Sequence, residues 1–109
     1  MTLREIMEDA WQNSHAKGWY DKPRSFGDEI ALMHSELSEA LEAYRDGYLF
    51  DTIPTDDKGK PLGIASELAD TVIRIAEVCR ERGIPLEQAI KQKLAYNRTR
   101  PHRHGEKIL

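Results

Sequence analysis

Residues 30–44 of this 109-residue chain read IALMHSELSEALEAY, and their spacing decides the fold. Apolar residues recur three and four positions apart, which is the period of an α-helix with one apolar face. Ser25 and Asp28 have the spacing of a helix N-cap, and the pattern ends at Asp46 and Gly47. We expect one apolar stripe to face the core; it consists of Ile30, Met33, Leu37, Ala40, Leu41 and Tyr44.

Three further helices are predicted around this one. The first begins at a capping box formed by Thr2 and Glu5, and Gly18 ends it. The third runs over about residues 61–82 and is closed by a glycine, and the fourth has Pro85 in its first turn. Their apolar faces comprise Leu3, Ile6, Met7, Ala10 and Trp11, then Leu68, Val72, Ile75 and Cys79, then Leu86, Ala89, Ile90 and Leu94.

The remaining segments lack helical periodicity. Residues 47–61 are rich in Pro, Gly and Asp, which indicates a loop with a turn near residues 57–59. A loop of this length in a small domain is more often functional than not. The stretch from Asn97 to Leu109 is basic and polar, and strand-like alternation occurs nowhere. The sequence therefore predicts a single all-α domain of four helices over residues 1–109.

Composition excludes several classes of protein. The chain is 39% hydrophobic and 32% charged, which is too apolar for a disordered protein and too polar for a membrane protein. Its net charge of −3 gives no reason to expect nucleic-acid binding. Cys79 is the only cysteine, the N-terminus does not resemble a signal peptide, and no apolar run is long enough to cross a membrane. We expect a cytoplasmic protein without nucleic-acid or membrane partners.

Two pairs of carboxylates lie beside the apolar stripes. With Leu37 at the centre of its stripe, Glu36 and Glu39 fall at about −100° and −160° on the helical wheel. With Leu68 at the centre, Glu67 and Asp70 fall at the same two angles. Residues three apart are neighbours on a helix surface, so each pair can converge on one point. If the two helices pack together, four carboxylates meet.

Such a cluster favours a bound cation, because close anions in a partly dry cleft repel one another. Oxygen ligands without imidazole or thiolate select Mg²⁺, with Mn²⁺ as a possible substitute. The alternative is a solvated acidic face, which is common in a chain this rich in charge. On that interpretation Arg74 forms an ordinary i, i+4 surface ion pair with Asp70.

The same residues resemble a known family, the MazG-like nucleotide pyrophosphohydrolases of the all-α NTP pyrophosphatase superfamily. The matching text is HSELSEALEA at residues 34–43, GIASELAD at 63–70 and KLAYNRTRP at 93–101, followed by His104 and Gly105. The likeness extends in order from about Ser25 to Lys107. Family members often begin the first motif with two adjacent acids, whereas this chain has Ser35 at the earlier position. The number of metal ions and the general base therefore stay open.

The resemblance implies Mg²⁺-dependent hydrolysis of a nucleoside or deoxynucleoside triphosphate to the monophosphate and pyrophosphate. Glu36, Glu39, Glu67 and Asp70 would be both the catalytic residues and the metal ligands. Metal ions suit this chemistry because they neutralise phosphate charge and make a bound water a better nucleophile.

Phosphate groups also need fixed cations, and the fourth helix offers candidates. Lys93 and Asn97 lie at i, i+4, and Arg100 would follow at i+7 if the helix continued. The alternative is that these charges only complement a helix C-terminus. The resemblance of the tail to the family favours substrate binding by Lys93, Asn97 and Arg100.

A homo-oligomer, either a dimer or a tetramer, is expected because both sides of the second helix are partly apolar. Two other functions remain open at this point. The same fold could hold a nucleotide as a sensor without turnover, or it could be a helical interaction protein whose acidic residues have no ligand.

Overall fold

The computed structural model describes residues 1–108, in which four helices carry the fold; Leu109, the end of the predicted domain, lies outside the described residues. These helices are α1 (Leu3–Ala16), α2 (Phe26–Arg45), α3 (Ile64–Arg82) and α4 (Leu86–Thr99). A single turn, α5 (Arg103–Glu106), follows. Residues 1–108 contain no β-strand, and Thr55 and Pro61 form an isolated bridge. The all-α prediction is confirmed.

The predicted caps of the first two helices are present. Thr2 Oγ1 accepts a hydrogen bond from the Glu5 N–H at 3.1 Å, and Ser25 Oγ accepts one from the Asp28 N–H at 3.0 Å. These contacts satisfy amide groups that have no partner within a helix. The α3 helix ends at Gly83, which adopts the left-handed conformation with φ +68°.

The predicted beginning of the third helix was wrong. This helix begins at Ile64 rather than near Pro61, because the Leu62 N–H is bonded to the Pro54 carbonyl at 2.8 Å and Gly63 has φ +95°. The fourth helix includes Asn97, as the sequence predicted, and continues to Thr99. It ends there because Arg100 precedes a proline and takes an extended conformation.

The α3 helix is the centre of the fold and packs against both α1 and α2. The apolar core is small and consists of Ala40, Ala43, Ile64, Ala76, Val78 and Cys79. The α4 helix contains no buried residue; Arg4 of α1 contacts Glu87 at its beginning, with 3.6 Å between Nη2 and Oε2. Three helices therefore pack together, and the described part of one chain does not close a four-helix bundle.

The apolar stripe predicted to face the core lies partly in solvent. Leu37, Leu41 and Tyr44 are 50–58% exposed. Ala40 of the same stripe is buried, and Ile30 and Met33 are half-buried. Glu29 and Ala43, which lie outside the predicted stripe, are buried as well. The helix was predicted correctly, but its predicted stripe is buried only in part.

The molecule is open for its size. Its accessible surface is 8473 Å², whereas a compact monomer of this mass exposes about 6,200 Å². Its radius of gyration is 16.5 Å, against about 13 Å for a compact chain of this length. Separately, none of the described helices has the length and apolar character required to cross a membrane.

Candidate metal centre

Carboxylates from two helices meet where α2 contacts α3. Glu36 of α2 and Glu67 and Asp70 of α3 each offer an oxygen, and these three oxygens lie within 4.8 Å of one another. The negative charge of Glu39, one turn after Glu36, acts on both Glu67 and Asp70. The structure thus brings three of the four carboxylates that the sequence singled out within 4.8 Å of one another, with Glu39 close enough to act on them electrostatically.

The beginning of α3 positions two of them. The Glu67 N–H donates to the Gly63 carbonyl at 3.1 Å, which places Glu67 in the first turn of the helix. Asp70 follows three residues later and shares its surface. Carboxylates are favoured near a helix N-terminus because free amide groups give that end a partial positive charge.

The cluster carries unfavourable negative charge when no cation is bound. Burial raises the pKa of Glu67, and the hydrogen bond and negative charge of Glu39 raise it further. Burial also raises the pKa of Asp70, with Glu36 and Glu39 adding to the effect. A bound cation would relieve the repulsion among these carboxylates.

The residues fit a hard divalent cation. Glu67 Oε2 is buried and has no hydrogen-bond partner. Buried carboxylate oxygens are normally hydrogen-bonded, so this oxygen is available to a cation. The four candidate ligands are all carboxylates, which match Mg²⁺ and Mn²⁺ better than zinc or copper. Ser35, in the helix turn that precedes Glu36, donates its hydroxyl to the Leu32 carbonyl at 2.8 Å.

Arg74 has partners that the sequence analysis did not predict. The expected surface ion pair with Asp70 was wrong. Arg74 Nη2 instead lies 3.1 Å from Glu36 Oε1, and Nη1 lies 3.2 Å from Glu77 Oε1. Glu77 is only 3% exposed. The sequence indicated its contact with Arg74 only through their spacing of three residues, which makes them neighbours on a helix. The positive charge of Arg74 opposes the rise in the pKa of Asp70.

Lys60 is a second cation that the sequence analysis missed. It lies in the loop before α3, where Asp56 Oδ1 accepts the N–H groups of Lys58 at 2.8 Å and Lys60 at 3.0 Å. These amides lower the pKa of Asp56 and fix the predicted turn. The positive charge of Lys60 opposes the rise in the pKa of Asp70. The length of the loop indicated a function, but its sequence did not show which residue would reach the carboxylates.

The predicted phosphate-binding residues lie on a different part of the chain. Lys93 and Asn97 are exposed on α4, which makes no extensive contact with α2 or α3 in residues 1–108. Lys93 Nζ is 5.6 Å and Arg100 Cζ 5.8 Å from the centre of the Tyr96 ring. The structure gathers these two cations around Tyr96.

Compared with models of known protein families, with curated proteins and with solved structures, the chain has no match. The motifs and the geometry described above are therefore the grounds for assigning a function.

Proposed function

We propose that this protein hydrolyses a nucleoside or deoxynucleoside triphosphate to the monophosphate and pyrophosphate in the presence of Mg²⁺. The observation that carries the proposal is the convergence of Glu36, Glu67 and Asp70 within 4.8 Å, with the negative charge of Glu39 acting on Glu67. The resemblance of the motifs around these residues to MazG-like pyrophosphohydrolases supplies the reaction type.

The four carboxylates would hold Mg²⁺, with Mn²⁺ as a substitute; when bound, the ion supplies positive charge for the phosphates and acidifies a coordinated water. The chain's own groups then have separate tasks. Glu39 is exposed, and it would orient the attacking water. Attack at the α-phosphorus breaks its bond to the bridging oxygen, and pyrophosphate leaves.

Lys60 would contact the phosphate chain from the loop. Its charge already acts on Asp70, and its ammonium is exposed and carried by a turn that Asp56 fixes. A lysine binds phosphate as a point charge and tolerates several orientations of the chain of phosphates.

We also propose that the protein is a homo-oligomer in which α4 packs on a second copy. The chain exposes about 2,300 Å² more surface than a compact monomer, and a stable interface of standard size buries about 800 Å² per partner. Leu37, Leu41, Ile90 and Leu94 are exposed along α2 and α4 and would be covered. Packing on a second copy gives Lys93, Asn97 and Arg100 a route to a carboxylate cluster.

The test is product chromatography after incubating the purified protein with Mg²⁺ and a panel of ribo- and deoxynucleoside triphosphates. We expect monophosphate and pyrophosphate in equimolar amounts. Glu39→Gln should lower the rate by at least 100-fold, on the scale of removing one positioned acid–base group. Glu42→Gln, three residues further along α2 and exposed beside Arg45, is the matched control and should retain the wild-type rate.

Other products would change the assignment. Diphosphate and phosphate would place the attack at the γ-phosphorus and contradict a pyrophosphohydrolase. Mg²⁺-dependent nucleotide binding without turnover would make the protein a sensor, the second candidate, which is favoured by Ser35 at a position where the family it resembles often has an acid. No binding of either Mg²⁺ or nucleotide would leave a helical interaction protein.

A further inference from the structure

Arg74 divides its guanidinium between two carboxylates. Its Nη2 donates to Glu36 Oε1 at 3.1 Å, and its Nη1 donates to Glu77 Oε1 at 3.2 Å. The side chains of Arg74 and Glu36 are 18% and 17% exposed, and that of Glu77 is 4% exposed. Arginine frequently grips one carboxylate with two parallel hydrogen bonds, but here each carboxylate receives one.

The burial of Glu77 determines where Arg74 stays. A carboxylate that is almost completely buried is strongly destabilising without a cationic partner, so Arg74 is held in place by Glu77. One donor of the guanidinium then remains on Glu36, which contributes an oxygen to the carboxylate cluster. Glu36 therefore enters the cluster with one of its two oxygens already engaged.

We propose that Arg74 is a positioning residue that restricts Glu36 to coordination through one oxygen, and that it thereby makes the centre prefer Mg²⁺ and Mn²⁺ to Ca²⁺. Mg²⁺ requires near-ideal octahedral geometry, whereas Ca²⁺ takes six to eight oxygens in flexible geometry and can bind a carboxylate through both of its oxygens. The inference rests on the proposed function only in requiring that these carboxylates bind a divalent cation.

The experiment measures binding of Mn²⁺ by electron paramagnetic resonance and its displacement by Mg²⁺ or by Ca²⁺. The quantity of interest is the ratio of the Ca²⁺ and Mg²⁺ concentrations that release half of the bound Mn²⁺. Arg74→Met alone would leave Glu77 as an unpaired buried charge, so the double variant Arg74→Met/Glu77→Gln is compared with Glu77→Gln. Arg80→Met is the matched control, because Arg80 is also on α3 but pairs with Glu8 at 2.7 Å.

We expect the double variant to lower the ratio by roughly tenfold, which is the usual size of effects from residues that contact a metal ligand. Glu77→Gln should keep the wild-type ratio, because the amide oxygen still accepts the hydrogen bond of Arg74 and holds it beside Glu36. Arg80→Met should keep it because Arg80 pairs with Glu8. Circular dichroism confirms that each variant is folded.

A wild-type ratio in the double variant would overturn the role of Arg74, as would an equal decrease in Glu77→Gln alone. Failure of the wild-type protein to bind Mn²⁺ would overturn both this inference and the metal-dependent function. Because the experiment does not measure turnover, an absence of nucleotide hydrolysis would contradict only the proposed function.

Discussion

At the scale of single residues, helical phase located the carboxylates but not their cationic neighbours. Glu36, Glu39, Glu67 and Asp70 follow from angles around two helices, which depend only on local sequence. The contact between Arg74 and Glu36 joins residues 38 positions apart, and it depends on how deeply Glu77 is buried. Nothing in the local pattern around Arg74 distinguishes this contact from a surface ion pair.

Replacing Glu67 by Gln should stabilise the metal-free protein at pH 7. Because the pKa of Glu67 is raised in the folded state, this carboxyl holds a proton more tightly folded than unfolded. The tighter proton binding adds to the free energy of unfolding at acidic pH, and this added stability is lost as the pH rises through the folded-state pKa of Glu67. The amide of the substituted side chain remains neutral at every pH and can still donate a hydrogen bond to Glu39.

Thermal unfolding in a chelating buffer checks this expectation. The variant should melt above wild type at pH 7, and the difference should shrink as the pH falls towards 4.5, the ordinary pKa of a glutamate. Addition of Mg²⁺ should reverse the order at pH 7, because the wild type gains a bound ion and the variant loses a ligand. A variant that is less stable than wild type at pH 7 without metal would contradict charge repulsion in the cluster.

At the scale of secondary structure, caps and periodicity were sufficient to predict the helices. The predicted position of a helix end was wrong where contacts with residues distant in the sequence determine it. The beginning of α3 is such a case. Gly63 adopts φ +95° and ψ −177°, and a Cβ atom there would lie 3.2 Å from Tyr48 Cδ1 and 3.5 Å from Pro54 Cδ. Tyr48 and Pro54 belong to the preceding loop, so the sequence around Gly63 alone does not define this start.

Gly63→Ala should therefore lower the free energy of unfolding by roughly 2–3 kcal/mol, since this backbone region is almost exclusive to glycine and the added methyl group crowds Tyr48. Gly59→Ala is the matched control. Gly59 also has a positive φ, +83°, but no atom lies within 4 Å of the site of its Cβ, so the cost should be roughly 1 kcal/mol. Urea denaturation of both variants measures the two values, and equal losses would rule out the contact with Tyr48.

At the scale of the whole molecule, the sequence predicted four amphipathic helices but not which of their faces one chain buries. Periodicity shows that a face is apolar and does not show what covers it. Leu37, Leu41 and Tyr44 were expected in the core and are half exposed or more, while no residue of α4 is fully buried. Both observations have one explanation if a second copy covers these surfaces.

Leu41→Glu should weaken that association, because it places a charge in the centre of the exposed α2 stripe. Light scattering coupled to gel filtration should give a multiple of the single-chain mass for wild type and the single-chain mass for the variant. Ala31→Glu adds the same charge to an exposed position on α2 outside the stripe, and it should leave the assembly unchanged. A wild-type protein that is monomeric at micromolar concentration would contradict the oligomer.

The separation of α4 from the rest of the chain has a consequence for how much helix the protein contains. A helix of 14 residues is marginal in water without tertiary support, and the Glu87–Lys91 ion pair adds only a few tenths of a kcal/mol. In a dilute solution of single chains this segment would spend much of its time uncoiled. Mean residue ellipticity would then vary with protein concentration, which is a property that a domain folding independently does not have.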